Sequence, residues 1–317
     1  MRSTVLAVLL GVFIGCGGGG GNNDVPDSSP PGDGNTTPDA PPIPEGFTRL
    51  IGRTWTIPAG KEIYRCVRIT LTEDTYLTNI RAQAPAGTHH TVLSITQPGD
   101  NANGADGEQN CQVNSLGRVM LYASGVGTEP LDFPTDVGIK IAAGQQIHLN
   151  LHLFNATDSA IEGDSAILVK QSATPPPTLA EMVFAGKFVF SIPGNGQPTN
   201  VVGGCTANSN FKLFAVWPHM HQIATHQKFE LIRGGNTMVL HDKPFQFAEQ
   251  NYYLQSPEVS VQSGDQIRVT CTFVNNTGSP IGFGDSSNKE MCFSGMYRYP
   301  ATASNLFQCT DTGGFGF

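Results

Sequence analysis

From about residue 47 onward, apolar and polar residues alternate with a period of two, and no stretch carries a convincing 3.6-residue period, so strands are expected and helix should be scarce. In "QQIHLNLHLFN", Ile147, Leu149, Leu151 and Leu153 form one face of a strand and His148, Asn150 and His152 the other. The same pattern returns. "IKIAAGQQIHLNLHLFNAT" from Ile139 aligns with "VSVQSGDQIRVTCTFVNNT" from Val259 at a constant offset of 120 (259 − 139), with Gly144 matching Gly264 and Asn155 matching Asn275. Each copy is a short strand, a glycine turn and an alternating strand, which predicts a hairpin. A looser pair, "TYLTNIRAQAPAGTHHTVLSI" and "FKLFAVWPHMHQIATHQKFELI", runs a strand into a histidine cluster and out through another strand.

These repeats predict an all-β chain of two tandem antiparallel β-sandwich, jelly-roll-like domains, at 47–171 and 179–310, divided at "SATPPPT" and followed by a tail at 311–317. Composition agrees. Apolar residues make up 39% and charged residues only 14%, while 37 Gly and 22 Pro suit turn-dense β-structure. A net charge of −8 with no basic block argues against a nucleic-acid partner, and no obligate protein partner is evident.

Residues 1–16, "MRSTVLAVLLGVFIGC", read as an export signal, because the apolar run is too short to cross a bilayer. "FIGC" resembles a bacterial lipoprotein signal, which implies lipidation at Cys16 and an outer-membrane or cell-surface location, the alternative being a periplasmic or secreted protein. On the first reading, contact with a membrane is through that lipid alone. Residues 17–46 contain almost no large apolar side chain and are expected to form a disordered Gly/Pro/Asp-rich tether. Seven cysteines less Cys16 leave six, enough for 15 pairings in an oxidising compartment.

Eight histidines fall mostly into clusters. In "WPHMH", Trp217, His219 and His221 share one strand face, and residues two apart lie roughly 7 Å apart at Cα, close enough for both imidazoles to reach one ion. Pro218 cannot donate to a ladder and suggests an edge or sandwich mouth. His148 and His152 lie roughly 13 Å apart on a regular strand and cannot bind one ion together. His89 and His90 in "THHT" would point to opposite faces unless the chain bulges there, for which "APAGT" supplies Pro and Gly; both arrangements stay open. Met291 and Met296 are ordinarily core fillers, but a thioether combined with imidazole selects copper, particularly Cu(I).

In order, "HH", "LNLHLFN", "HMH" and "EMC" resemble the copper type II, ascorbate-dependent monooxygenases, whose fold is two tandem β-sandwich domains. The resemblance implies a first copper held by His89, His90 and His152, and a second held by His219, His221 and Met291, the latter three also being the catalytic set. His148, His226 and Met296 are then non-ligands. It implies disulfides Cys66–Cys111, Cys205–Cys309 and Cys271–Cys292. It further implies C–H hydroxylation with O2, with ascorbate or another one-electron donor as reductant, oxygen being handled at the methionine-containing site and the further electron supplied from the three-histidine site. An arginine that anchors peptide carboxylates in one branch of the family is replaced by Trp217. With Phe293 and Tyr297 nearby, an apolar or aromatic small substrate is expected. The rival readings are a copper-binding surface lipoprotein without catalysis and a structural pair of β-sandwiches with incidental histidines.

Overall fold

The computed structural model describes residues 42–97, 104–111, 118–302 and 306–311. The signal, Cys16, nearly all of the tether and the tail beyond Asp311 lie outside the described residues. Within them every regular element is a strand, and no helix is long and apolar enough to cross a membrane.

The first half contains β1 (Thr48–Ile57), β2 (Glu62–Thr70), β3 (Thr75–Gln83), β4 (Thr88–Ile95), β5 (Gly107–Asn110), β6 (Val119–Ser124), β7 (Leu131–Asp132), β8 (Val137–Ile141), β9 (Gln146–Phe154) and β10 (Ile161–Ser172). The second contains β11 (Thr178–Leu179), β12 (Glu181–Lys187), β13 (Ser191–Ile192), β14 (Pro198–Thr206), β15 (Phe211–His219), β16 (Ala224–Arg233), β17 (Asn236–Pro244), β18 (Tyr253–Val261), β19 (Gln266–Val274), β20 (Ile281–Gly282), β21 (Cys292–Tyr299) and β22 (Cys309–Thr310).

One topology is used twice. The first half builds sheets in the order β1-β10-β3-β8 and β2-β9-β4-β6, and the second builds β12-β21-β15-β18 and β14-β19-β16-β17, with short strands added at the margins. Counterparts sit at the same positions: β3 and β15, β4 and β16, β8 and β18, β9 and β19. Among the described residues, β11 is the one strand that crosses over, pairing in parallel with β8 of the first half.

The repeat at Gly144 and Gly264 is not a hairpin, contrary to the sequence expectation. β8 pairs in one sheet with β3 while β9 pairs in the other with β2 and β4; β18 and β19 separate in the same way. Alternation reports that one face of a strand is buried, and two strands can bury their faces against the same core from opposite sheets. The glycine turn carries the chain over the rim of that core. Gly144 and Gly264 have φ of 83° and 94°, a conformation glycine adopts without strain. Their N–H groups donate to Leu71 and Ala207 carbonyls, each at 2.8 Å.

The paired asparagines close both copies alike. Asn155 is fully buried and donates to the carbonyls of Ile57, Pro58 and Ser159, while its Oδ1 accepts from Thr157 N and Oγ1. Asn275, also fully buried, donates to Ile192 and Ser279 and accepts from Thr277 N and Oγ1.

A core of Val183, Val216, Phe229, Val269, Phe273 and Met296 fills the space between the two sheets of the second half. The core of the first half does not stop at its own strands but continues through Phe184, Phe214, Trp217, Tyr252 and Tyr297. Polar pins cross the same seam. Tyr297 Oη donates to Leu121 O at 2.9 Å, and Tyr252 Oη donates to Ala123 O at 2.6 Å and accepts from Ala123 N at 2.8 Å. Disulfides join Cys66–Cys111, Cys205–Cys309 and Cys271–Cys292. Bridges of this kind persist in oxidising compartments, so the folded part is that of an exported protein.

Candidate metal centre

The first nest lies across three adjacent strands. The ladder sets Tyr64 of β2 opposite His152 of β9, and His152 opposite His90 of β4. The register of β4 shifts between Thr88 and His90, leaving His89 as the extra residue of a bulge. That insertion answers the question raised by adjacent histidines, since a bulged residue escapes the alternation of a regular strand. The His89 and His90 rings come to 4.1 Å between centroids, and each also approaches the His152 ring. His89 Nδ1 lies 3.3 Å from His152 Nδ1, and His152 Nδ1 lies 3.5 Å from His90 Nδ1.

The other ring nitrogens are committed elsewhere. His90 Nε2 donates to Phe247 O at 3.2 Å, and His152 Nε2 donates to the Glu62 carboxylate, while the His152 ring stacks on Tyr64 at 4.7 Å. Their Nδ1 atoms therefore carry lone pairs and converge with the third imidazole: one nitrogen from each of the three rings lies within 4.8 Å of the others, close enough to share one ion. Burial, with the neighbouring imidazoles second, pushes His90 down to about 3 and also lowers His89, so both rings are neutral and able to ligate at pH 7.

The second nest is built from β15 and the start of β21. His219 ends β15 opposite Phe293, and continuing that antiparallel register by two residues brings His221 level with Met291. β18 pairs with β15 only as far as Val216, so Pro218 faces no ladder partner on that side and its missing N–H costs nothing there. The His219 and His221 rings are perpendicular with centroids 5.4 Å apart. Here the nitrogen roles are reversed. Nδ1 of His219 donates to Gln250 Oε1 at 3.2 Å and Nδ1 of His221 to Lys289 O at 3.1 Å, which leaves both Nε2 atoms with free lone pairs. Burial pushes His219 down to about 3, with the His221 charge second, and lowers His221.

Glu290 secures this nest from behind. Its carboxylate, almost fully buried, accepts from His221 N and Ile223 N, both at 2.9 Å, and so ties the His-x-His turn to the residue before Met291. The Cys271–Cys292 bridge fixes the residue after it.

His90, His152, His219, His221 and Met291 line a single cavity of about 140 Å³. Trp217 also lines it, stacked on His219 with centroids 4.9 Å apart. Two of the expected substrate contacts do not. Phe293 is buried among Phe184, Phe188 and Phe307, and Tyr297 is fully buried with its hydroxyl spent on Leu121 O, so neither lines the cavity. Both face the core because aromatic side chains on an interior strand are more stably placed against other apolar surface than in a wet pocket. Met296 belongs to the second-half core, and His226 pairs at 3.1 Å with Asp242. His148 does line the cavity, where burial pushes it down to about 4. Sequence reasoning missed Glu62, Phe247, Gln250 and Glu290, whose contacts are made by tertiary neighbours and leave no trace in spacing.

The arrangement defines a class: an all-β protein with one cluster of three histidines, two of which share a cavity with His219, His221 and Met291. Residues 179–314 match the family model of the copper type II ascorbate-dependent monooxygenase C-terminal domain. The chain is also similar to solved structures of allantoicase (11% identity, 74% of this chain and 77% of that chain, TM-score 0.21) and of the infectious bursal disease virus Gx strain (9%, 82% and 74%, 0.20). At such scores the likeness carries no argument.

Proposed function

We propose that the protein is a copper-dependent monooxygenase that hydroxylates a C–H bond of a small apolar or aromatic substrate with O2 and ascorbate or another one-electron donor. Two coppers per chain are held, one by His89, His90 and His152 and one by His219, His221 and Met291. The observation that carries this reading is one cavity lined by His90 and His152 of the first set and by His219, His221 and Met291 of the second, which would let a substrate approach one ion while the other stands beside the same enclosure.

When bound, copper supplies one-electron redox chemistry and activation of O2. The protein's part is positioning. Three imidazoles would hold an ion with no soft sulfur ligand, whereas the thioether of Met291, beside His219 and His221, would favour the reduced state of the ion it helps to hold. Trp217 donates its indole N–H to Gln250 O at 3.2 Å, so it presents only ring surface to the cavity. Together with Val92, Met120 and Phe247 it forms an apolar wall that would bind hydrocarbon or aromatic surface and exclude water from the reacting bond. We also propose that Cys16 carries a lipid that holds the exported domain at a membrane surface; incorporation of labelled palmitate, lost in Cys16→Ala, tests this.

The deciding experiment is copper stoichiometry combined with ascorbate-driven oxygen uptake over a panel of amines, phenols, lipids and peptides. Two ions per chain with substrate-dependent uptake are expected. Two ions without uptake on any substrate would leave metal capture as the function.

A further inference from the structure

Residues Phe245–Tyr252, between β17 and β18, belong to the second half by sequence but are bonded to the first. Ala248 O accepts from Val126 N at 3.0 Å, and Gln250 O accepts from Thr128 Oγ1 at 2.9 Å. Tyr252 completes the attachment through both backbone groups of Ala123. Gly125 lies directly beneath: a Cβ there would sit 2.4 Å from Ala248 O and 2.9 Å from Gln250 N. Only glycine admits so close an approach.

This strap touches both nests. Phe247 O accepts from His90 Nε2 at 3.2 Å and from Gln250 Nε2 at 3.1 Å, while Gln250 Oε1 accepts from His219 Nδ1 at 3.2 Å. An unbroken line of hydrogen bonds therefore runs from a ring of the first nest to a ring of the second through one carbonyl and one amide. The Phe247 ring adds contacts of its own, with centroids 5.1 Å from His90 and 5.9 Å from His221.

We propose that the strap Phe247–Gln250 couples the two nests, so that an ion in one raises the affinity of the other. The inference rests on the metal-binding reading above. An ion in the first nest fixes the His90 ring, which fixes the Phe247 carbonyl, the Gln250 amide and so the His219 ring. The second ion then orders fewer groups on arrival. Because such coupling is a free energy shared by two sites, the second nest promotes the first by the same factor. Gln250 acts here as a positioning residue.

The test is anaerobic titration of the full chain with Cu(I) against a chromophoric chelator. His89→Ala disables the first nest without altering any hydrogen bond of the strap, removing only a ring contact with Phe247 at 6.0 Å between centroids, and the affinity of the second nest should then fall about tenfold, within the usual range of allosteric coupling. Gln250→Glu keeps an oxygen to accept from His219 Nδ1 but removes the N–H that donates to Phe247 O. In that background the second nest should bind with the same affinity whether or not His89 is present. Gly125→Ala, which displaces the strap and touches no ring, should likewise abolish the dependence. Equal affinities in wild type and His89→Ala, or a dependence that persists in Gln250→Glu, would overturn the coupling and leave the two metal sites standing. Failure of wild type to bind Cu(I) stoichiometrically would sink the metal reading and the coupling with it.

Discussion

The two nests hold their imidazoles by opposite nitrogens. In the first, Nε2 of His90 and His152 is spent on Phe247 O and Glu62, and the Nδ1 atoms converge; in the second, Nδ1 is spent on Gln250 and Lys289, and Nε2 is free. Nδ1 is the nitrogen nearer the backbone, so the first nest draws its ligands tight against the sheet and depends on a bulge to gather three of them. Nε2 reaches further, and the second nest presents its donors outward, with a thioether as the weakest member. The supports differ accordingly. The first relies on an exposed carboxylate, whereas the second is braced by the buried Glu290 carboxylate, a buried amide and a disulfide. A weak sulfur ligand gains most from a rigid frame, which accounts for where the bracing is concentrated.

The sharpest break of the comparison is removal of one ligand from each nest. His152→Ala and His221→Ala should each lower copper content from two ions to one per chain, measured by elemental analysis, with unchanged far-ultraviolet circular dichroism. Next in size is the disulfide beside Met291. Replacing Cys271 and Cys292 together by Ala opens a loop of sequence separation 21 and should cost roughly 3 kcal/mol in denaturant unfolding, with copper lost from the second nest but retained by the first. The repeat itself is tested by Asn155→Ala and Asn275→Ala. Each strands buried carbonyl and N–H groups and should cost roughly 2 kcal/mol, Asn155→Ala slightly the more because Asn155 donates to three carbonyls and Asn275 to two. The smallest effect is expected from Glu62→Ala. Freeing Nε2 of His152 should weaken Cu(I) at the first nest about tenfold, by competition with a chelator, and leave the second unchanged.

Much of this was legible along the chain. Alternation placed the strands, and the offset between Ile139 and Val259 corresponds to β8–β9 and β18–β19 occupying equivalent places in two sheet pairs. The pattern could not say that each pair spans two sheets, because alternation records burial and not the hydrogen-bonding partner. Histidine clustering marked both nests, and the Pro and Gly before "THHT" marked the place where the ladder slips. Phe293 and Tyr297 were misplaced since proximity in sequence to Met291 does not decide which face of β21 turns to the cavity.

The sequence by itself determined the strand periodicity, the doubled plan and the residue types able to hold a soft metal, because these follow from local alternation and side-chain chemistry. Only the tertiary structure decided which ring nitrogen is free at each histidine, which aromatics are core, and that a single strap serves both nests. Those depend on contacts between residues far apart in the chain, such as His90 with Phe247 and His152 with Glu62, and a hydrogen bond across such a separation exists only once the sheets have packed.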